Sequence, residues 1–324
     1  MAKGMAKGTT RPATATSEDS TEPSGLTVLV TGATGFIGRR LAPALAEAGH
    51  EVRAMTRRPE SYDGVGEPIG ADVDDPETLP AALEGVDVAI YLVHSLDHDD
   101  FVERDARAAR HFGAAAADAG VRQIVYMGGL GAEDDDLSDH LRSRREVEGL
   151  LGSGGVPVTV LRAAVVVGHG GISWELTRQL VKNLPAMVVP KWTSTRTQPI
   201  ALDDVVRYLV GVVGEERAFG EVYEIGGPES MTYLDMLRIA SEVSSGTAVP
   251  IVKVPVLTPK LSSYWLALVT DVDVTTARNL IDSMDVEVVV TDTRIREVVP
   301  GDPLSYTEAV QRALAERLGE GESI

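Results

Sequence analysis

The chain has 324 residues, 44% of them hydrophobic, no cysteine, and a formal net charge of −19. That length holds one large α/β domain, or one domain with a smaller lobe. The charge argues against nucleic-acid binding, which needs basic patches against phosphate, and the lack of cysteine excludes disulfides, thiolate nucleophiles and cysteine metal sites.

Only six of the 30 basic residues are lysine. An acidic, arginine-rich surface of halophilic type fits a high-salt cytosol, where self-repulsion is screened; a genome biased toward Arg, Ala, Gly and Asp accounts for it equally. No run of 18 apolar residues is present, so no transmembrane helix is expected. Residues 1–24 lack the apolar middle of a signal peptide and read as a disordered tail; a cytoplasmic location is expected, since the lack of cysteine fits a reducing compartment.

In chain order, residues 26–30 form a short apolar run that ends in Gly32, Gly35 and Gly38, spaced three apart. Helix formers follow to Ala48, Gly49 closes them, and residues 52–55 read as a second strand. This is the strand–turn–helix–strand unit of a dinucleotide fold. Gly32 permits the tight turn, Gly35 lets backbone N–H groups approach a pyrophosphate, and Gly38 allows close packing of helix on strand. Thr34, Phe36 and Ile37 complete a loop whose phosphate sits on the positive end of the helix.

Thr56-Arg57-Arg58-Pro59 falls where such folds choose their cofactor. An acid there holds a ribose 2′-OH; arginine accommodates a 2′-phosphate, so Arg57 and Arg58 favour NADP(H), with NAD(H) the alternative. Residues 71–79 follow a short third strand, and Asp74 or Asp75 caps a helix starting at Pro76. Residues 86–93 are continuously apolar, as a parallel strand buried on both faces should be. Val93 and His94 close that strand on the side of the sheet that lines the cofactor crevice.

Residues 99–119 form a long helix rich in Ala and Arg, and residues 122–127 the fifth strand, followed by Gly128 and Gly129. An acidic loop at 133–136 leads to Ser138-Asp139-His140-Leu141-Arg142-Ser143-Arg144. The four-residue spacing puts His140 and Arg144 on one helix face. His140 is an acid/base candidate near neutral pH. Arg144 keeps its proton but donates hydrogen bonds to ribose or phosphate.

Residues 157–167 are the sixth strand, with Arg162 inside it as either a buried paired charge or a group near the ligand. Further helices are expected over 170–183, 203–213 and 233–243 and from Thr307, and strands over 221–225, 249–254 and 287–290. Trp174 and Gln198 are assigned to the substrate, with Trp192 and Trp265 as further cleft candidates. No His/Asp/Glu set has metal-ligand spacing, so no metal is expected.

Thr31-Gly32-Ala33-Thr34-Gly35-Phe36-Ile37-Gly38 resembles the extended and atypical short-chain dehydrogenase/reductase families. The resemblance implies that Asp72-Val73 is an adenine-contact turn. It implies that the family's usual serine falls at Gly128 and Gly129, and its usual Tyr-x-x-x-Lys on His140 and Arg144. Tyr91-Leu92-Val93-His94-Ser95-Leu96, the His140–Arg144 segment, Leu161-Arg162-Ala163-Ala164, Thr197-Gln198-Pro199-Ile200 and Leu261-Ser262-Ser263-Tyr264-Trp265 resemble one branch in particular. It is the bacterial YbjT-like NAD(P)-binding branch, related to NmrA-like proteins and to the complex I 39 kDa-type accessory subunit.

What this implies is an α/β fold: a doubly wound parallel sheet (Rossmann fold) over 25–230. A small C-terminal α/β lobe over 231–324 would interleave with it and close over the substrate. The implied function is an NADPH-dependent oxidoreductase acting on a small carbonyl, enone or quinone. Missing Ser, Tyr and Lys leave open a non-catalytic NADPH-binding redox sensor, or an assembly or structural subunit, acting as a homodimer or with a protein partner. A nucleotide-sugar epimerase or dehydratase is a weaker alternative, because it too needs the Tyr and Lys.

Overall fold

The computed structural model describes Met1 and residues 25–95, 98, 100–131, 138–183, 187–189, 191–247, 250–253, 270, 281 and 283–322. The N-terminal tail from residue 2, the acidic loop at 133–136, and Leu261 to Trp265 lie outside the described residues.

The strands are β1 (Thr27–Thr31), β2 (Glu51–Thr56), β3 (Glu67–Gly70), β4 (Val88–Tyr91), β5 (Gln123–Gly129), β6 (Val158–Ala163), β7 (Val166–Val167), β8 (Met187–Val189), β9 (Arg196–Thr197), β10 (Ile200–Ala201), β11 (Val222–Ile225), β12 (Met231–Thr232) and β13 (Ile251–Lys253). The helices are α1 (Gly38–Glu47), α2 (Leu79–Leu83), α3 (Phe101–Asp118), α4 (Asp139–Leu151), α5 (Ile172–Asn183), α6 (Leu202–Val212), α7 (Tyr233–Ser245), α8 (Ile295–Val298) and α9 (Tyr306–Gly319).

Seven strands form one parallel sheet in the order β11-β6-β5-β4-β1-β2-β3. The order reverses at β1, where Val30 faces Ala54 on one side and Ile90 on the other. In a doubly wound sheet the crevice at that reversal, outside the carboxyl ends of the strands, is where ligands bind.

Helices cover both faces, as the continuous apolar strands require. Val28, Val30, Leu41, Leu45, Val205 and Leu209 join β1 to α1 and α6 on one face. Leu29, Tyr91, Ala109, Phe112, Tyr126 and Leu151 join the sheet to α3 and α4 on the other. A third core sets α5 against α7 and α9 through Trp174, Leu237, Tyr306 and Val310, with Trp192 edge-on to Tyr233 at 5.9 Å. Each such buried side chain contributes about 2–3 kcal/mol of transfer free energy. α7 and α9 both open with capping boxes, Thr232 with Asp235 and Ser305 with Glu308. Among the described residues no helix is long and apolar enough to cross a membrane.

Three expectations change. The apolar run 157–167 breaks into β6 and β7, because β7 leaves the main sheet to pair with β10. Residues 287–290 hold one bridge, Val288 to Thr197, rather than a strand. The helix expected from Pro76 starts as a single 3-10 turn, Pro76–Thr78, before the short α2. Pro76 and Pro80 have no N–H to donate, which limits regular helix there. The Asp75 carboxylate still caps the turn, accepting the Glu77 N–H at 3.3 Å.

Candidate functional site

The chain leaves β1 through Gly32, whose φ of +63° lies in the left-handed region open to glycine. A Cβ on Gly38 would stand 2.3 Å from the Gly32 carbonyl oxygen, so α1 approaches the turn as closely as backbone allows. Gly35 donates its N–H to the same carbonyl at 2.9 Å. Arg39, Arg40 and Leu41 donate back to Gly35 and Ile37, so the donors left for an anion include the N–H groups of Phe36, Ile37 and Gly38, at the positive end of the helix. Across the switch point, the Thr31 hydroxyl accepts the Leu92 N–H at 2.9 Å and ties the ends of β1 and β4 together.

Two cavities open along these strand ends. The outer one, about 580 Å³, lies between the glycine turn, the end of β2, the 71–74 turn and the end of β4. The inner one, about 200 Å³, lies between the glycine turn, the ends of β5 and β6, and α4. Gly32, Gly35, Leu92 and His94 wall both, so they form one cleft across the switch point.

At the outer end stand Thr34, Arg57, Arg58, Asp72, Val73, Val93 and His94. Arg57 and Arg58 are exposed, and among the described residues neither guanidinium has a partner. Asp72 is held in its turn by accepting the Asp74 N–H at 3.0 Å. Asp74 is clamped by Arg104 of α3 at 2.6 and 2.9 Å, and Arg104 also lies 3.1 Å from His98 Nε2. Arg104 and His98 line this cavity too, and nothing local in the sequence marks them.

At the inner end stand Phe36, Ile37, Gly38, Gly128, Gly129, His140 and Arg144. Ser138 sets the start of α4 by accepting the Leu141 N–H at 3.3 Å, which brings His140 and Arg144 to one wall. Burial pushes the His140 imidazole down to about 3, helped by the charge of Arg144 and by His94. The expected titration near neutral pH is thus replaced by a neutral imidazole. Burial opposes the charge of Arg144, but Tyr126, Asp105 and Tyr91 outweigh it and hold the guanidinium above its ordinary value. Its Nη1 lies 3.4 Å from the Tyr126 hydroxyl and 3.4 Å from the Met127 carbonyl.

Arg162 is a buried paired charge: it grips Glu148 with two hydrogen bonds, at 3.0 and 2.6 Å. A Cβ on Gly128 would come 2.8 Å from that Glu148 carboxylate. The ion pair therefore occupies the space a side chain at 128 would need. Trp174, 1% exposed, and Trp192 belong to the α5–α7–α9 core rather than to the cleft. The Gln198 amide donates to the Gly227 carbonyl at 2.7 Å and accepts the Val290 N–H at 3.0 Å, a structural brace away from both cavities. Neither Trp174 nor Gln198 is brought to His140.

The sequence reading missed Asp105, Tyr91 and Tyr126 beneath the cleft floor. One signal was present. Phe101, Asp105, Ala108, Ala109 and Phe112 share one helical stripe, and Asp105 is the lone acid on a buried face.

A family model described as NAD(P)H-binding matches residues 32–187. A Streptomyces griseus protein described as (4-alkanoyl-5-oxo-2,5-dihydrofuran-3-yl)methyl phosphate reductase is 35% identical over 228 residues, 67% of this chain and 73% of that one. Subunit 9 of the alpha subcomplex of the mitochondrial NADH dehydrogenase (ubiquinone) of Arabidopsis thaliana is 24% identical over 230 residues, 67% of this chain but 57% of that one. Among solved structures, the Citrobacter sp. triphenylmethane reductase complexed with NADP(H) superposes with a TM-score of 0.73. It is 20% identical, covering 89% of this chain and 100% of that one. At that identity the likeness speaks for the fold.

Proposed function

This chain belongs to the NAD(P)H-binding family, and we propose that it is a reductase using NADPH and a small carbonyl, enone or quinone acceptor. The observation that carries the reading is the continuity of the cleft. It joins two exposed arginines, Arg57 and Arg58, at one end to His140 and Arg144 at the other.

When bound, the cofactor supplies a hydride from its nicotinamide ring. The residues of the chain bind and orient. The Phe36 and Ile37 N–H groups and the α1 terminus hold the pyrophosphate. Arg57 and Arg58 meet the 2′-phosphate, and Asp72 and Val73 the adenine. Gly128 and Gly129 keep the inner floor flat beside the apolar Ala163 and Val166. The neutral N–H of His140 holds the acceptor oxygen, and Arg144 the nicotinamide ribose beside it. As that oxygen gains charge the His140 donor strengthens, and a preorganised donor of this kind is worth about 3–4 kcal/mol in the transition state. Arg144 does not release its proton and a neutral imidazole has none to spare, so water entering the open cleft completes the reduction. In this reading α5, α7 and α9, which share a core, belong to the lobe that closes over the acceptor.

A second reading is a non-catalytic NADPH-binding sensor or assembly subunit. It is favoured by the His140 imidazole, held at about 3 and carrying no proton to give at neutral pH. The test is NADPH oxidation against carbonyls, enones and quinones. Turnover that falls about a hundredfold or more in His140→Ala, the effect of losing one oxyanion donor, supports the reductase. Saturable NADPH binding with no turnover on any acceptor supports the sensor or subunit.

A further inference from the structure

Beneath the floor of the cleft, a chain of buried polar groups runs from one cavity to the other. Ser95, which lines the outer cavity, stands beside the Asp105 carboxyl, whose pKa burial pushes up and Ser95 and Arg144 draw back down. Asp105 is 7% exposed on the face of α3 that packs against the sheet. Tyr91 and Tyr126, both 1% exposed, stand next, with ring centroids 6.1 Å apart. The Tyr91 hydroxyl feels both Asp105 and Arg144. Tyr126 then reaches Arg144, 3.4 Å from its Nη1, and Arg144 lines the inner cavity.

A buried carboxylate is destabilising unless it is partnered, and an alanine would pack this stripe of α3 as well as its neighbours do. Asp105 therefore needs a role beyond packing. We propose that Asp105 and Tyr126 are positioning residues, which fix the Arg144 guanidinium over the inner cavity as the ligand for the nicotinamide-ribose half of the cofactor. Tyr126 holds one edge of the guanidinium against β5, and the other N–H groups face the cavity. Asp105 supplies the negative charge that keeps the guanidinium there.

This rests on the cofactor reading given above. The test titrates the full-length protein with NADPH and with ADP, which has the adenine half but no nicotinamide ribose. Four proteins are compared: wild type, Tyr126→Phe, Arg144→Gln and the double variant. The loss of one hydrogen bond to a charged group gives Tyr126→Phe about a tenfold weaker NADPH affinity and leaves ADP within about twofold. In the Arg144→Gln background the same substitution then adds nothing. Asp105→Asn, which keeps the volume and the acceptor for Ser95, is a second variant and shows the same NADPH-selective loss. Equal losses for NADPH and ADP, or additive losses of Tyr126→Phe and Arg144→Gln, overturn the positioning role. NADPH binding by the wild type that both variants leave unchanged also overturns it, and leaves the cofactor reading standing. No binding of NADPH by the wild type overturns that reading itself.

Discussion

The two ends of the cleft hold positive charge in opposite ways. At the outer end, Arg57 and Arg58 stand in water with no partner among the described residues. At the inner end, Arg144 is desolvated and held by Tyr126, the Met127 carbonyl and the field of Asp105. An exposed pair acts through weak, screened attraction, since salt shortens its reach to about 8 Å at physiological strength. A desolvated, oriented donor acts through geometry and is insensitive to salt. Under the proposed function, the outer end would select the cofactor and the inner end would meet the charge that develops during a reaction.

That contrast can be broken at several points. The largest effect is expected where α1 presses on Gly32, which walls both ends. Gly38→Val puts a branched side chain where even a Cβ would sit 2.3 Å from the Gly32 oxygen. Overpacking of this kind costs about 1–3 kcal/mol or more, and both NADPH and ADP binding should be lost in a fluorescence or calorimetric titration. Next, Arg144→Ala removes charge-assisted bonds worth about 1.5–3 kcal/mol, hence about 10- to 100-fold in NADPH affinity, and spares ADP. At the outer end, Arg57→Ala with Arg58→Ala should weaken NADPH about tenfold and NADH less than twofold, and the difference should shrink as salt is raised to about 1 M. Equal losses for the two cofactors would sink the 2′-phosphate role.

A separate effect is on stability against pH. The folded His140 is held at about 3, below its ordinary 6.5. The unfolded chain therefore binds the extra proton between those values. The contribution of neutral His140 is complete above pH 6.5 and is lost as pH falls toward 3. His140→Gln should flatten that part of the curve of urea midpoint against pH. It should leave the curve above pH 7 unchanged.

The outer end was legible in the sequence because its signals are local. The expected strand at 26–30 is β1, Thr27–Thr31, and the glycine turn and α1 follow within eleven residues. The four-residue spacing of His140 and Arg144 was enough to place them on one wall. Arg162 could not be resolved from sequence, because its partner Glu148 sits fourteen residues away on α4 and only packing brings them together. The same holds for the break between β6 and β7: the run is apolar throughout, and what stops β6 is the pairing of β7 with β10. Trp174 and Gln198 suited a cleft by residue type, yet α7 and α9 enclose the one, and Gly227 and Val290 hold the other. Asp105 was visible only as an acid out of place on an apolar stripe, and its meaning depends on Tyr126 of another element.

The most direct measurement is the titration of the purified full-length protein with NADPH and NADH at low ionic strength, followed by the nicotinamide fluorescence. The account predicts saturable binding of NADPH, weaker binding of NADH, and an emission change that disappears in Arg144→Ala. No binding of either dinucleotide, or an emission change that Arg144→Ala leaves intact, would contradict it.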